Sequence, residues 1–276
     1  MTHDNALEVA LLHVADKLRS LTHVVWLTGA GLSVASGIPP YRRSKDAVWS
    51  QFLTEWGTIA RFHQSPVAWY REFWLKAHSS LFERAGGIRP NAGHDAITRI
   101  VKAHPMHSVI TQNIDGLHRK SGVADEQLVE IHGRHDHFVC SNERCSRARE
   151  PVGAPDLSCI AHGEAPECDF CGAPVRPLVL LFDETYDSHP AYRMRQARTA
   201  LNDAEVVMFV GTSFAVGITD YALRAARHAH ALLVNANVEP VVDLGPEMSG
   251  VAPDAFVELL GPAEAVLPRL AHFVLA

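Results

Sequence analysis

Six short apolar runs recur along the chain, and most of them show little alternation between apolar and polar positions. Such runs are typical of parallel β-strands that helices cover on both faces. Apolar residues at helical spacing precede the first run, at Leu7, Leu11, Val14 and Leu18, and predict an amphipathic helix. The pattern therefore predicts an α/β fold built on a doubly wound parallel sheet. Its predicted strands are Val24–Leu27, Ser108–Ile110, Leu128–Ile131, Val206–Val210, Ala231–Val234 and Phe256–Leu259.

Two stretches interrupt this alternation. Residues 44–90 are rich in aromatic side chains and have a helical pattern, whereas residues 134–177 contain all five cysteines together with many Pro, Gly and charged residues. We expect both to be insertions that fold as a smaller domain. The prediction is a Rossmann-like nucleotide-binding domain made of residues 1–43, 91–133 and 178–276. The helical insertion 44–90 and the cysteine module 134–177 make up the small domain.

Polar or glycine-rich sequence follows five of the predicted strands directly. In open α/β sheets, ligands bind outside the carboxyl ends of the strands, which lie along one edge of the sheet. The sequence therefore predicts a ligand site at that edge. Its candidate segments are Thr28–Gly31, Thr111–Asn113, His132–Gly133, Gly211–Ser213 and Asn235–Asn237.

Charge and hydropathy narrow the class of partner. The formal net charge is -6, which argues against nucleic-acid binding through the whole surface and favours a small molecule or a protein. No run approaches the roughly 18 apolar residues that a membrane span needs, and the N-terminus lacks the pattern of a secretory signal. We therefore expect a cytoplasmic protein whose cysteines are metal ligands or free thiols rather than disulfides.

The cysteines form two close pairs. Cys140 and Cys145 are separated by four residues, and Cys168 and Cys171 by two, with Gly172 directly after the second pair. Two such pairs predict a tetrahedral Zn²⁺ site with four thiolate ligands, and this zinc is structural because no coordination position is left for water. We expect Cys159 to be a buried small apolar residue and not a ligand.

The run TGAGLSVASGIPPYR, from Thr28 to Arg42, follows the first strand. By itself it fits either a phosphate-binding loop or a tight turn without a ligand. The run resembles the sirtuin signature G-A-G-x-S-x-x-S-G-I-P, although Pro40 stands where Asp or Thr is usual. The resemblance implies that the loop covers NAD and that Tyr41 shields the nicotinamide side. It assigns cofactor contacts to Gly29, Ala30, Gly31, Ser33, Ile38, Pro39, Tyr41 and Arg42.

Two further runs resemble sirtuin signatures. The first is TQNIDGLH, from Thr111 to His118, and the second is VEIHG, which contains His132. A lone Asn-x-Asp is ordinarily a turn cap and a lone histidine is ordinarily structural, so the resemblance carries the assignment. It implies a catalytic pair, His132 as general base and Asn113, with Gln112 and Asp115 lining the nicotinamide and ribose pocket. Histidine suits a base because its unperturbed pKa is about 6.5.

Two more segments resemble the substrate and adenosine elements of sirtuins. Arg176 to Glu184 resembles the strand that pairs with the substrate peptide, with Asp183 in place of a glycine, and Gly211 to Val216 resembles the strand opposite. Binding would then add the peptide as a β-strand. The resemblance assigns substrate contacts to Leu181, Phe182, Phe214 and Val216. It assigns ribose, phosphate and adenosine contacts to Gly211, Thr212, Ser213, Asn235, Asn237 and Glu239.

The implied function is removal of an acyl group from protein lysine at the expense of NAD. The acyl oxygen attacks the nicotinamide ribose, and nicotinamide leaves. His132 then activates a ribose hydroxyl, which attacks the amidate carbon, and water finally releases free lysine and O-acyl-ADP-ribose. Some sirtuins that act on acidic acyl groups carry a Tyr-x-x-Arg pair, which here falls on Phe73 and Lys76, so acetyl or longer apolar groups are expected.

The alternatives are an ADP-ribosyltransferase or NAD hydrolase, a non-catalytic NAD sensor, and a zinc-ribbon nucleic-acid binder.

Overall fold

A six-stranded parallel sheet forms the centre of the larger part of the molecule. The computed structural model describes residues 3–39, 47–82, 87–214, 216–241 and 255–276. The strands are β1 (Val24–Thr28), β2 (Ser108–Thr111), β3 (Leu128–Glu130), β4 (Gly133–Cys140), β5 (Val152–Gly153), β6 (Val175–Val179), β7 (Val206–Val210), β8 (Leu232–Asn237) and β9 (Phe256–Leu260).

The order of the parallel strands reverses at the centre of the sheet. The order is β3-β2-β1-β7-β8-β9, and every neighbouring pair is parallel. This is the doubly wound, Rossmann-like arrangement, in which the crevice for a ligand opens where the order reverses, here between β1 and β7. All six predicted strands are confirmed, with ends that differ by no more than three residues from the predicted ones.

Helices cover both faces of this sheet. Successive side chains of a strand point to opposite faces, so the continuous apolar runs make both faces apolar, and both must be buried. Val24 and Trp26 of β1 pack with apolar residues of the N-terminal helix, whereas Val25 and Leu27 pack into a second cluster on the other face. The helices are α1 (His3–Ser20), α2 (Ala47–Trp56), α3 (Ile59–Gln64), α4 (Pro66–Ala68), α5 (Leu75–Ala77), α6 (Ser79–Phe82), α7 (Ala92–Ala103), α8 (Leu117–Ser121), α9 (Met194–Asn202), α10 (Gly217–Ala229) and α11 (Ala263–Leu275). A 3-10 helix, Ala30–Ser36, follows β1, and a π-helix, Trp69–Trp74, joins α4 to α5.

The two insertions pack against each other. A small antiparallel sheet of order β5-β4-β6 carries the cysteine module, and its core cluster also contains Trp69 and Phe73 of the helical insertion. The Tyr70 hydroxyl donates to the Val175 carbonyl at 2.7 Å, which fastens the π-helix to β6. β6 spans residues 175–179 and so crosses the predicted boundary between 177 and 178. The domain boundaries themselves stay a prediction.

In the part of the chain that the structure describes, every helix is too short or too polar to cross a bilayer.

Candidate active site

The turns that follow β1 and β7 pack backbone against backbone at the carboxyl edge of the sheet. The Gly29 N–H donates to the Val210 carbonyl at 2.9 Å, and the Gly31 N–H donates to the Gly211 carbonyl at 2.8 Å. A β-carbon at Gly31 would lie 2.7 Å from the Gly211 Cα, and one at Gly211 would lie 2.4 Å from the Leu32 nitrogen. These glycines are therefore required for contact between the two turns, a reason that the sequence pattern alone does not reveal.

The TQNIDGLH turn is tied to the first glycine turn by side-chain hydrogen bonds. The Asn113 Nδ2 donates to the Gly29 carbonyl at 3.0 Å and to the Ser33 Oγ at 3.1 Å. The Ser33 hydroxyl in turn donates to the Asp115 carboxylate at 2.7 Å, and both residues of that pair are buried. Four residues predicted from two separate motifs thus form one connected cluster.

The second glycine turn joins the same cluster through Thr212. The Gln112 Nε2 donates to the Thr212 Oγ1 at 3.2 Å, and the Asn237 Nδ2 donates to the Thr212 carbonyl at 3.0 Å. Four predicted cofactor segments therefore meet at the point where the strand order reverses. We call the cluster of Gly29, Ser33, Gln112, Asn113, Asp115, Thr212 and Asn237 the polar network.

Other predicted cofactor residues lie around the polar network with different exposure. Asn235 is fully buried in β8, where its Nδ2 donates to Glu258 at 3.4 Å and its Oδ1 has no hydrogen-bond partner among the described residues. Ala30, Gly31, Ile38 and Gly211 are half-buried, and Pro39, Ser213 and Glu239 are exposed. Pro40, Tyr41 and Arg42 lie outside the described residues.

The residue before helix α7 is hydrogen-bonded to the 3-10 helix and fixes its position. The Asn91 Nδ2 donates to the Leu32 carbonyl at 2.8 Å and to the Ser36 Oγ at 3.0 Å, while its Oδ1 caps α7. Behind it the buried rings of His94 and His118 are in edge contact, with their centroids 5.2 Å apart. Burial lowers the pKa of His94 to about 4, so this packing consists of neutral imidazoles at physiological pH.

His132 lies two residues after the end of β3, is half-buried, and points its two ring nitrogens at different groups. Its Nδ1 is 2.8 Å from the Gln112 carbonyl oxygen. Because a carbonyl oxygen only accepts, Nδ1 carries the proton, and Nε2 presents a lone pair. Burial lowers the pKa of His132 to about 4, against a smaller raising effect of the Gln112 carbonyl. The imidazole is thus neutral near pH 7 and able to take up a proton at Nε2.

The two segments predicted to form the substrate groove differ in exposure, and the first lies beside His132, whose carbonyl accepts the Leu180 N–H at 2.9 Å. Leu181 is buried in the core of the insertions, whereas Phe182 is 60% exposed and its N–H donates to the Gly57 carbonyl at 2.9 Å. On the other side, Phe214 and Val216 are half-buried and pack at the edge of a core cluster. Because Phe182 is exposed, its side chain is not a core residue. The side chain of Leu181, in contrast, packs in the core.

The turn after Phe182 is fixed by acidic side chains. The Asp183 carboxylate accepts the Ile59 N–H at 2.7 Å and the Ala60 N–H at 3.1 Å, so it caps the first turn of α3. The neighbouring Glu184 forms a buried ion pair with Arg176 and also accepts the Leu181 N–H at 3.0 Å. Asp183, which departs from the family pattern, thus joins the helical insertion to the groove.

The four paired cysteines converge at the tip of the small sheet. Their sulfur atoms all lie within 4.8 Å of one another, with 3.5 Å between the Cys140 and Cys171 sulfurs and 3.9 Å between those of Cys145 and Cys168. Zn–S bonds of about 2.3 Å in a tetrahedron place sulfurs about 3.8 Å apart, so the donor set fits Zn²⁺. Cys159 lies outside this group, half-buried, with its thiol 3.6 Å from the Asp156 carbonyl.

Comparison with known proteins decides the family. The sequence model of the Sir2 family matches residues 29–217, which is more than half of the chain. The chain belongs to the Sir2 family. This confirms the sirtuin resemblance, and the matched range contains both glycine turns, His132 and all four clustered cysteines.

Curated Sir2 relatives match along nearly the whole chain. The NAD-dependent deacetylase sir2E of Dictyostelium discoideum is 35% identical over 269 residues, which cover 93% of this chain and 75% of that protein. The NAD-dependent protein deacylase 2 of Pyrobaculum aerophilum is 33% identical over 264 residues, with 95% of each chain covered. A solved structure from work on the mechanism and regulation of Sir2 enzymes is 29% identical, with a TM-score of 0.74 over 97% of this chain and 98% of that one.

Sequence patterns within the Sir2 family did not reveal every residue near His132. The Tyr186 ring stacks on the imidazole, with centroids 5.8 Å apart and an interplanar angle of 15°. Tyr186 follows Phe182 in a segment of turns, where no periodicity or motif marks a tyrosine. The capping role of Asp183 was also missed, because its partners lie more than 120 residues earlier in the chain.

Proposed function

We propose that this Sir2-family chain removes acetyl or other acyl groups from protein lysine, with NAD as co-substrate. The products are nicotinamide, O-acyl-ADP-ribose and free lysine. The observation that carries the proposal is the contact between His132 Nδ1 and the Gln112 carbonyl, which fixes the proton on Nδ1 and leaves a lone pair on Nε2. Relatives at 33–35% identity that are named NAD-dependent deacetylase and deacylase support the same activity.

NAD binding is assigned to the polar network and the glycine turns. The reversal of strand order between β1 and β7 is where a dinucleotide binds in folds of this type. The glycine turns keep β-carbons out of this crevice, since a side chain at Gly31 or Gly211 would collide with backbone. Asn113, Gln112 and Asp115 present amide and carboxylate groups there, which suit the hydroxyl groups of ribose and the amide of nicotinamide.

His132 is assigned the general base. In the proposed step the Nε2 lone pair accepts the proton of a ribose hydroxyl, and the hydroxyl oxygen forms a bond to the amidate carbon while the C=N π electrons move to the nitrogen. Water then adds to this carbon, and the C–N bond breaks to release lysine and O-acyl-ADP-ribose. Burial lowers the pKa of His132 to about 4, which keeps the imidazole neutral, with a lone pair on Nε2, throughout the physiological range. Asn113 is assigned to orient the ribose, since its amide already bridges Gly29 and Ser33.

The zinc site is assigned a structural role. Four cysteine ligands complete a tetrahedron, so no position remains for a reacting water. Zinc would fix the tip of the small sheet, whose strand β6 leads directly into the groove segment at Leu180–Phe182. In this way the metal would influence the shape of the groove without taking part in the reaction.

The peptide is assigned to the groove between Phe182 and Val216, where it would add as a β-strand. We infer a preference for acetyl or apolar acyl groups. Phe73 is buried and Lys76 pairs with Glu72 on the surface, while Arg71 donates to the Ile160 carbonyl at 3.1 Å. Lys76 and Arg71 are thus paired with protein groups. In the described part of the helical insertion, this supports a preference for acyl groups without a carboxylate. We also infer a cytoplasmic protein that does not act on nucleic acid, because its four clustered cysteines are placed as metal ligands rather than disulfides and its formal net charge is -6.

The proposal is tested by replacing the base. In the variant His132→Ala we expect turnover of an acetyl-lysine peptide to fall by about 10²- to 10⁴-fold, because general-base catalysis contributes that much. NAD binding, measured by calorimetry, should persist, since the base acts after the cofactor is seated.

A neighbouring histidine provides the matched control. His135 makes the same kind of contact, with its Nδ1 2.8 Å from the Ile114 carbonyl, but it is not connected to the polar network by any hydrogen bond among the described residues. His135→Ala should keep most of the activity. Full turnover in His132→Ala would contradict the assignment of the base. Nicotinamide release without an acyl peptide would instead favour NAD hydrolysis or ADP-ribosyl transfer.

A further inference from the structure

Tyr186 contacts both His132 and the start of α10. It follows Phe182 by four residues in the chain, and its ring lies nearly parallel to the imidazole. The same ring lies against the start of α10, where a β-carbon on Gly217 would be 3.7 Å from the ring edge. Tyr186 therefore connects the His132 imidazole to the start of α10, which directly follows Val216 in the chain.

The hydroxyl of Tyr186 has a defined direction. The Ile218 N–H donates to the phenol oxygen at 3.1 Å, which occupies one lone pair of that oxygen. The oxygen is 3.5 Å from the Nε2 of His132. Because the Nδ1 proton is committed to the Gln112 carbonyl, Nε2 is an acceptor, and the phenol O–H is the group that donates to it. The result is a chain that runs from the Ile218 N–H through the phenol to the imidazole.

Burial keeps this phenol protonated. Tyr186 is half-buried, and its pKa is raised by desolvation, with the Ile218 N–H acting in the opposite direction. A neutral phenol can serve both forms of the imidazole. It donates to the bare Nε2 before the substrates bind, and the ribose hydroxyl then replaces it as the donor to the single Nε2 lone pair. After Nε2 has taken the ribose proton, the phenol oxygen still has a lone pair that can accept from it.

We propose that Tyr186 is a positioning residue for the reaction: its hydroxyl, held by the Ile218 backbone, fixes the orientation of the His132 imidazole so that Nε2 meets the ribose hydroxyl. This inference rests on the proposed function, because it presupposes that His132 is the base. It goes beyond the sirtuin motifs, none of which includes position 186 in this chain.

The reaction sequence gives a readout that separates positioning from structural support. Nicotinamide leaves before His132 acts, so the exchange of labelled nicotinamide into NAD, in the presence of acetyl-lysine peptide, reports the earlier step alone. Deacylation reports both steps. A residue that orients His132 should affect the second measurement and leave the first unchanged, whereas a residue that merely supports the fold should lower both.

The experiment compares Tyr186→Phe with the full-length wild type. The variant keeps the stacked ring and loses only the hydroxyl. We expect kcat for deacylation to fall by about three- to tenfold, the effect of one neutral hydrogen bond, with an unchanged rate of nicotinamide exchange and an unchanged KM for NAD. Tyr221→Phe is the matched control, because that hydroxyl also belongs to the α10 region but contacts Asn202 at 3.1 Å, on the surface. This control should equal wild type in both assays.

Two outcomes would overturn the inference, and a third would contradict the proposed function on which it rests. Tyr186→Phe with wild-type deacylation would overturn it. Deacylation and exchange that fall together, with a lower melting temperature, would assign Tyr186 a structural role only. An inactive wild type would contradict the proposed function itself, and this result is distinguishable because the control variant and the wild type would then both lack exchange and deacylation.

Discussion

The contact between the two glycine turns yields the sharpest prediction of stability. Gly211 has φ of 58°, and a β-carbon there would lie 2.4 Å from the Leu32 nitrogen and 2.7 Å from the Gly31 carbonyl carbon, all backbone atoms. In Gly211→Ala the turns must separate by about 1 Å to restore ordinary contact, since van der Waals contacts of a β-carbon begin at 3.4 Å. Backbone atoms cannot rotate away as a side chain does.

The cost has two parts. The left-handed backbone costs an alanine about 1–2 kcal/mol, and overpacking adds about 1–3 kcal/mol. Gly163→Ala is the matched control, because Gly163 has φ of 84° and a β-carbon added there would meet no atom within 4 Å, so it incurs only the first part. The difference of about 1–3 kcal/mol corresponds to a melting temperature roughly 2–12 °C lower for Gly211→Ala than for the control.

Two assays check this prediction. Thermal unfolding of both variants measures the difference in stability, and the KM for NAD measures the effect on the crevice. A misplacement of about 1 Å can cost about 100-fold in rate, so kcat/KM for NAD should fall strongly in Gly211→Ala and remain near wild type in Gly163→Ala. Equal melting temperatures and equal kinetics for the two variants would refute the packing argument.

Three further changes test other parts of the structure. Cys168→Ser should lower both zinc content and melting temperature, whereas Cys159→Ser should alter neither. Metal analysis and calorimetry measure these effects, and the same result for both variants would contradict the zinc assignment. Asp183→Ala should destabilise the protein by about 1 kcal/mol through loss of the cap on α3, which denaturant titration would detect. Burial lowers the pKa of both His78 and His94 to about 4 in the folded protein. As the pH falls, these histidines are therefore protonated in the unfolded chain, near pH 6.5, before they are protonated in the folded protein. Stability should therefore fall as the pH drops from about 6.5 to about 4, by up to about 1.4 kcal/mol per pH unit for each histidine, and a flat profile in that window would contradict the burial of neutral imidazoles.

The sheet could be predicted from the sequence because buried parallel strands leave continuous apolar runs. β7 matches its predicted bounds, Val206–Val210. β8 was predicted to end at Val234 and instead continues to Asn237. Its polar residues Asn235 and Asn237 are typical of a loop, yet they extend the ladder because Asn235 pairs with Glu258 and Asn237 with Thr212. Such tertiary partners leave no trace in the local pattern.

In the candidate site, too, the sequence predicted the segments but not all of the contacts between them. The motifs predicted which segments meet, and Ser33, Asn113 and Asp115 lie together as expected. The sequence did not reveal that Gly31 and Gly211 contact each other, or that Tyr186 stacks on His132, because both contacts join segments that are distant in the chain. Their geometry depends on how the strands and turns pack, and periodicity carries no information on that.

The central claim is tested most directly by the stoichiometry of one reaction. Purified protein is incubated with an acetyl-lysine peptide and NAD, and mass spectrometry quantifies the deacetylated peptide, nicotinamide and O-acetyl-ADP-ribose. The account predicts that the three products appear in equal amounts and that none forms without NAD. Nicotinamide produced in the absence of peptide, or a peptide that stays acylated across a panel of acyl groups while NAD is consumed, would contradict it.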